Sequence, residues 1–264
     1  MLTRIVSGLL LLPIFFLVII KGGIFIYLGG LICSLIGLYE FFRVFEKSGY
    51  KPLKITTYMA TTIMYTAMTY SGMDFSYIII SIAYIIIAAG AIYIINRRIR
   101  VEDLMITLMG YIYVPVFLSH INLLSIEGSI FIWLLFIFAW GSDTCAYFAG
   151  MFFGKHKLIP EISPKKTIEG AIGGIIGTVI LTLLFATYFK EPNLLYFIPL
   201  AVIGSIVSQI GDLFASAIKR EFGIKDYGNL IPGHGGILDR FDSILFTAPL
   251  TYYGITFIYF LQHL

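Results

Sequence analysis

Long apolar runs, each close to the length of a bilayer crossing, limit what this chain can fold into more than any other feature. Residues 75–95 contain no charged side chain. A transmembrane helix needs about 20 mostly apolar residues to span about 30 Å of hydrocarbon. The whole chain is 59% hydrophobic and only 12% charged, whereas a soluble domain carries about 25% charged residues. So few polar groups could not cover a soluble surface, and so apolar a chain cannot be disordered. The runs are too continuous for outer-membrane barrel strands, which alternate every second residue. The expected class is an all-α, polytopic integral membrane protein.

Nine spans are expected, at 5–20, 24–44, 56–72, 75–95, 104–121, 129–152, 168–189, 195–219 and 236–261. Arg4 followed by an apolar run imitates a signal peptide. The continuation Lys21-Gly22-Gly23 is no small-x-small cleavage site, so an uncleaved first span is expected. With nine spans, 16 of the 18 basic residues fall on one side, leaving Lys21 and Lys190 on the other. The positive-inside rule then makes the N-terminus cytoplasmic. Linkers reach only about 14 residues, too short for a soluble nucleotide-binding module. Chemistry must come from helix ends and short cytoplasmic loops. Residues 1–125 are expected to be scaffold, with lipid access or oligomer contacts, and 126–264 to carry the catalytic site. Cys33 and Cys145 lie in apolar runs, without the spacing of a zinc site or disulfide framework.

Ionisable groups inside spans are costly and are functional candidates by default. Five stand out: Glu40, Asp143, Asp212, Asp239 and Asp242. Glu40, three residues from Arg43, reads as half of a local helix pair. Asp143 lies in Trp140-Gly141-Ser142-Asp143-Thr144. Ser205, Gln209, Asp212, Ser216, Lys219 and Arg220 recur at spacings of three and four, making one polar stripe that should face a cavity or partner helix. Asp239 and Asp242 share a helix face. Hard divalent cations want oxygen ligands, and Asp143, Asp212, Asp239 and Asp242 could supply them.

Two loops carry the remaining signal. In 154–167, Ser163 before Pro164 resembles an N-cap, which would set Lys165 and Lys166 at an anion-attracting helix start. The glycines Gly170, Gly173, Gly174 and Gly177 form a face suited to helix packing. The second loop, 223–236, is glycine-rich and runs into the helix bearing Asp239-Arg240-Phe241-Asp242. Its N–H groups and the helix start behind them would favour an anion. Lys219, Arg220, Lys225 and Arg240 surround the same stretch. Cations and carboxylates together suggest a metal-bound polyphosphate. His234 suits either turn stabilisation or catalysis. Walker A, GxGxxG, HExxH and GxSxG are absent, and no nucleic-acid partner is expected.

The stretch from Ser216 through Lys219-Arg220, Lys225-Asp226, Gly228, Ile231-Pro232 and His234-Gly235-Gly236-Ile237 to Asp239-Arg240-Phe241-Asp242 resembles the complete signature of phosphatidate cytidylyltransferases, or CDP-diacylglycerol synthases. Ser142-Asp143-Thr144 and Ser163-Pro164-Lys165-Lys166-Thr167 resemble the same family. The specific similarity covers 140–245, and the first half matches only as hydrophobic spans. The resemblance implies that CTP and phosphatidic acid give CDP-diacylglycerol and pyrophosphate, with Mg²⁺. It implies that Asp212 and Asp239 hold the metal, with a second, monovalent cation such as K⁺ at Ser216 and Asp242. Asp143, Lys166, Lys219, Arg220, Asp239 and Arg240 are then the candidate catalytic residues. Lys165, Lys225, Asp226, His234, Gly235 and Gly236 are the candidate substrate-binding ones. The expected location is a bacterial inner membrane with the site facing the cytoplasm. Small-residue faces permit a homodimer. A CTP transferase for another lipid phosphate or an ion-coupled transporter are the competing readings; no inverted repeat is evident for the latter.

Overall fold

The computed structural model describes residues 13, 15–70, 74–96, 98–191 and 194–263. Among the described residues, a helical stretch at 15–21 is followed by eight longer helices: α1 (Ile24–Lys47), α2 (Lys54–Tyr70), α3 (Ser76–Ile95), α4 (Val101–Gly128), α5 (Phe131–Phe153), α6 (Ile168–Tyr188), α7 (Leu194–Glu221) and α8 (Leu238–Gln262). In hydrocarbon a helix satisfies its backbone groups internally, which is why apolar runs adopt it. Among the described residues, seven of these are long and apolar enough to cross a membrane. The exception is α2, with 17 residues, which occupies the expected third span. Most of the expected first span, 5–20, lies outside the described residues, as do Arg4 and Arg97.

The helices group into two units. One holds the described residues up to Ile126 together with Phe222–Arg240; the other holds Glu127–Glu221 and the chain from Phe241 onward. In the first unit, Leu38, Phe41, Phe42, Met64, Tyr65, Met68, Ile85 and Tyr111 form a buried core between α1, α2, α3 and α4. Pro115 sits within α4, where it can donate no hydrogen bond and would crowd the preceding turn. The helix accommodates it with a wider π-turn over Ile112–Val116.

Polar side chains fasten the loops at one end of this unit. The Asp103 carboxylate accepts from the backbone N–H of Lys51 at 2.6 Å and of Arg100 at 2.9 Å. Thr107 Oγ1 accepts from Leu53 N–H at 2.9 Å. The Arg100 guanidinium donates to the Gly49 carbonyl at 3.1 Å and lies 5.0 Å over the Tyr50 ring. Phe222 meets Phe45 edge-on at 4.7 Å. Three loops bearing basic residues therefore share one end of the unit.

In the second unit, α6 packs against α5 and α7. Its glycines make the approach to α5 possible. A Cβ on Gly173 would overlap Ala149, one on Gly177 would overlap Cys145, and one on Gly170 would lie 2.8 Å from the Ala146 carbonyl. This face is used within the chain, so a homodimer would need another. A π-turn at Ile137–Gly141 interrupts α5 just before Ser142 and Asp143.

The loop between α5 and α6 differs from the expectation. Ser163 is not a helix N-cap, and Lys165 and Lys166 do not begin a helix. Residues Ser163–Thr167 form strand β2, paired antiparallel with β1 (Lys157–Ile159). Thr167 caps α6 instead, its Oγ1 accepting from Gly170 N–H at 3.1 Å. Thr167 directly precedes the apolar run, so capping there starts the helix at the membrane entry and frees the lysines for a hairpin.

Overpacking a tight helix contact costs about 1–3 kcal/mol. Gly173→Leu and Gly177→Leu should each lower the unfolding temperature in detergent by several degrees. Ile172→Leu, at a position 53% exposed, should leave it unchanged.

Candidate functional site

The aspartates of the second unit gather around α7. Its polar stripe faces partner helices, as its spacing implies. Ser205 Oγ meets Ser142 Oγ at 2.7 Å, and Gln209 Nε2 donates to the Ala171 carbonyl at 3.2 Å. One turn further, Asp212 forms an ion pair with Lys166 from β2. Ser216 Oγ donates to Asp212 Oδ1 at 3.5 Å. Asp143 and Asp242 each interact electrostatically with Asp212 and with one another, and Lys219 faces Asp242. Ser243 Oγ donates to Asp143 Oδ2 at 3.4 Å. Gly211 lets α8 come close: a Cβ there would lie 2.8 Å from the Asp242 carbonyl. Three carboxylates, Ser216, Lys166 and Lys219 thus form one cluster. Lys165 is exposed on β2, and Arg220 is exposed at the end of α7.

This donor set is all oxygen, which suits a hard cation such as Mg²⁺. Among the described residues, no three His, Cys, Asp or Glu side chains form a ready ligand cage. A Mg²⁺ ion on a phosphate substrate does not need one: one or two carboxylates suffice, with phosphates and water completing the shell. Lys166 already supplies positive charge beside Asp212, where repulsion between three carboxylates would otherwise be largest.

The first unit contributes a cleft of about 520 Å³ built by the glycine-rich loop. Lys225, Asp226, Asn229, His234, Gly235 and Arg240 line it. Gly233 and Gly235 have φ of 79° and 83°, left-handed values that favour glycine. The loop folds back on itself, with Ile231 N–H donating to the Gly235 carbonyl and His234 N–H to the Ile231 carbonyl, both at 2.9 Å. The backbone of His234 thus closes the turn while the residue lines the cleft. Asp239 is 6% exposed. Its Oδ2 accepts from Tyr227 N–H at 2.8 Å and Gly236 N–H at 2.9 Å. Asp239 organises the loop, then, and belongs to the first unit, whereas Asp212 belongs to the second.

Two expectations are revised here. The first backbone N–H groups of α8 are not open to an anion: those of Ile237 and Leu238 bond Glu40, at 3.1 and 2.9 Å. Those two amides are therefore not available to an anion in the cleft. The expected local pair with Arg43 is at most an electrostatic neighbour; the hydrogen-bond partners of the Glu40 carboxylate lie nearly 200 positions away. Only its depth in an apolar run marked it in the sequence. Asn229 is also new to the site. It lay within the loop, but nothing in its spacing distinguished it.

A model of the cytidylyltransferase family matches residues 2–258. The chain belongs to that family. A phosphatidate cytidylyltransferase from Staphylococcus epidermidis is 34% identical over 251 residues, covering 94% of this chain and 95% of that protein. Proteins of the same name from Staphylococcus haemolyticus and Staphylococcus aureus are 44% and 45% identical over 157 residues, about 60% of each chain.

Losing one partner of a half-buried ion pair costs about 1–3 kcal/mol, between the exposed and fully buried cases. Lys166→Met should lower the unfolding temperature and turnover together. Lys165→Met, at the exposed neighbour, should leave the unfolding temperature unchanged.

Proposed function

We propose that this chain transfers the CMP moiety of CTP to phosphatidic acid, giving CDP-diacylglycerol and pyrophosphate. The observation that carries the reading is the family match over 2–258, with a named relative aligned over 94% of the chain. The polar groups the structure gathers suit this chemistry. A phosphate oxygen of the lipid attacks the α-phosphorus of CTP, and pyrophosphate leaves. The nucleophile is already an anion, so no strong base is required. The barrier lies in bringing two polyanions together and in the charge on the leaving group.

Lys225, Arg240 and His234 in the cleft would bind nucleotide phosphates, with Asp226 and the backbone of Gly235 and Gly236 shaping the pocket. Lys165, Lys166, Lys219 and Arg220 would neutralise the remaining phosphate charge, Lys166 passing from Asp212 to substrate. Asp143 would hold the hydroxyl of Ser243 and keep the acidic cluster in register. Asp212 and Asp239 would hold Mg²⁺, and Ser216 with Asp242 a monovalent cation such as K⁺. Bound Mg²⁺ supplies electrostatic stabilisation of the α-phosphate and of the leaving pyrophosphate.

We further propose nine spans, a cytoplasmic N-terminus and a site open to the cytoplasmic face of a bacterial plasma membrane. Cytoplasmic CTP and interfacial phosphatidic acid would meet there. Single cysteines placed at 51 and 190 should label from opposite sides of sealed vesicles.

The direct test uses purified protein in detergent with CTP, phosphatidic acid and Mg²⁺, with pyrophosphate release as the readout. Removing a transition-state electrostatic partner typically costs about 10²–10³-fold in kcat. Asp212→Asn and Asp239→Asn should each lose at least about 10²-fold while remaining folded. EDTA should abolish turnover and excess Mg²⁺ restore it. Near wild-type turnover in either variant would remove that residue's metal role, and EDTA-insensitive turnover would remove the metal.

A further inference from the structure

Glu40 is 3% exposed on α1, in a segment that lines no part of the cleft. A carboxylate so deep in an apolar helix requires strong partners. Its hydrogen-bond partners are backbone. Oε1 accepts from Ile237 N–H and Oε2 from Leu238 N–H, at 3.1 and 2.9 Å. These amides stand at the start of α8, where the helix dipole also favours a negative charge. The loop is shaped around this carboxylate. A Cβ on Gly228 or Gly236 would overlap the Glu40 oxygens.

Glu40 and Asp239 divide the work of holding the loop. Asp239 takes the amides of Tyr227 and Gly236, and Glu40 takes those of Ile237 and Leu238. The cleft-lining side chains stand beside these anchors. Lys225 and Asp226 immediately precede Tyr227, Gly235 precedes Gly236, and Arg240 follows Leu238 by two residues. Fixing four amides therefore fixes where the cations of the cleft lie.

We propose that Glu40 is a positioning residue for the nucleotide-phosphate cleft, acting on its cations through the backbone at 237 and 238. The proposal rests on the cytidylyl-transfer reading and adds a residue from the N-terminal half to that site. It also explains why the loop carries glycine at both 228 and 236, where any side chain would displace the carboxylate.

Glu40→Gln keeps the shape of the side chain but turns one acceptor into a donor facing a backbone N–H. Two measurements test it, with Arg43→Gln as the control for a local pair. In hydrogen exchange, the segment containing Ile237 and Leu238 should exchange at least about tenfold faster in Glu40→Gln, equivalent to about 1.4 kcal/mol, while α2 stays unchanged. In steady-state kinetics, KM for CTP should rise about tenfold and KM for phosphatidic acid should stay within about twofold, a selective loss of nucleotide binding. Glu40→Asp, which keeps the charge, should recover part of the CTP effect, and Arg43→Gln should match wild type. Unchanged exchange in Glu40→Gln would overturn the anchoring. Faster exchange with an unaltered KM for CTP, or an equal loss for both substrates, would overturn the positioning role. A wild-type protein that releases no pyrophosphate from CTP and phosphatidic acid would instead overturn the cytidylyl-transfer reading, and the exchange measurement would still decide the anchoring.

Discussion

A carboxylate in an apolar interior persists only if its charge is met by specific partners, and in this chain the fully buried acids are met by backbone N–H groups. Asp103 and Glu40 bind backbone N–H groups, as does Asp239, while Asp212 pairs with a lysine. Desolvating an unpaired charge would cost several kcal/mol, so these contacts fix the conformations around them. Asp103 ties the 48–53 loop to α4. Glu40 and Asp239 give the glycine-rich loop its shape. Acids on the helices thus add to the bonds the glycine-rich loop makes with itself.

The two units use polar groups in different ways. In the first, acids are consumed in holding backbone, and the cations of Lys225 and Arg240 are left facing a cleft. In the second, Asp143, Asp212 and Asp242 are held near one another against their mutual repulsion, with Lys166 and Lys219 as counter-charges. That repulsion is an electrostatic load which a bound cation would relieve. The first arrangement suits recognition of an anion, and the oxygen atoms of the second suit a hard cation.

Much of the fold was legible because bilayer length and hydropathy are properties of contiguous residues. The helix starts and ends of α3, α6 and α7 lie within a few residues of the expected spans. The stripe on α7 and the glycine face on α6 followed from helical periodicity, and both face neighbouring helices. The hairpin at 157–167 was not legible, because a Ser-Pro before two lysines satisfies the local signals of a helix start as well as those of a strand. Thr167 prevailed because it stands directly before the apolar run that α6 must begin with. The residues of the site were legible by type, since Lys225, His234, Arg240 and the intramembrane acids stand out in so apolar a chain.

The amino-acid sequence by itself determined the membrane class, the helical architecture and the family. All of these depend on composition, period and motif spacing along the chain. Tertiary structure alone decided which acid serves which purpose. Glu40 and Arg43 are neighbours in sequence, yet the Glu40 carboxylate bonds amides nearly 200 positions away. Asp239, expected as a metal ligand, also holds two loop amides. The reason is physical: a buried charge takes the strongest donors within reach, and what lies within reach is set by helix packing.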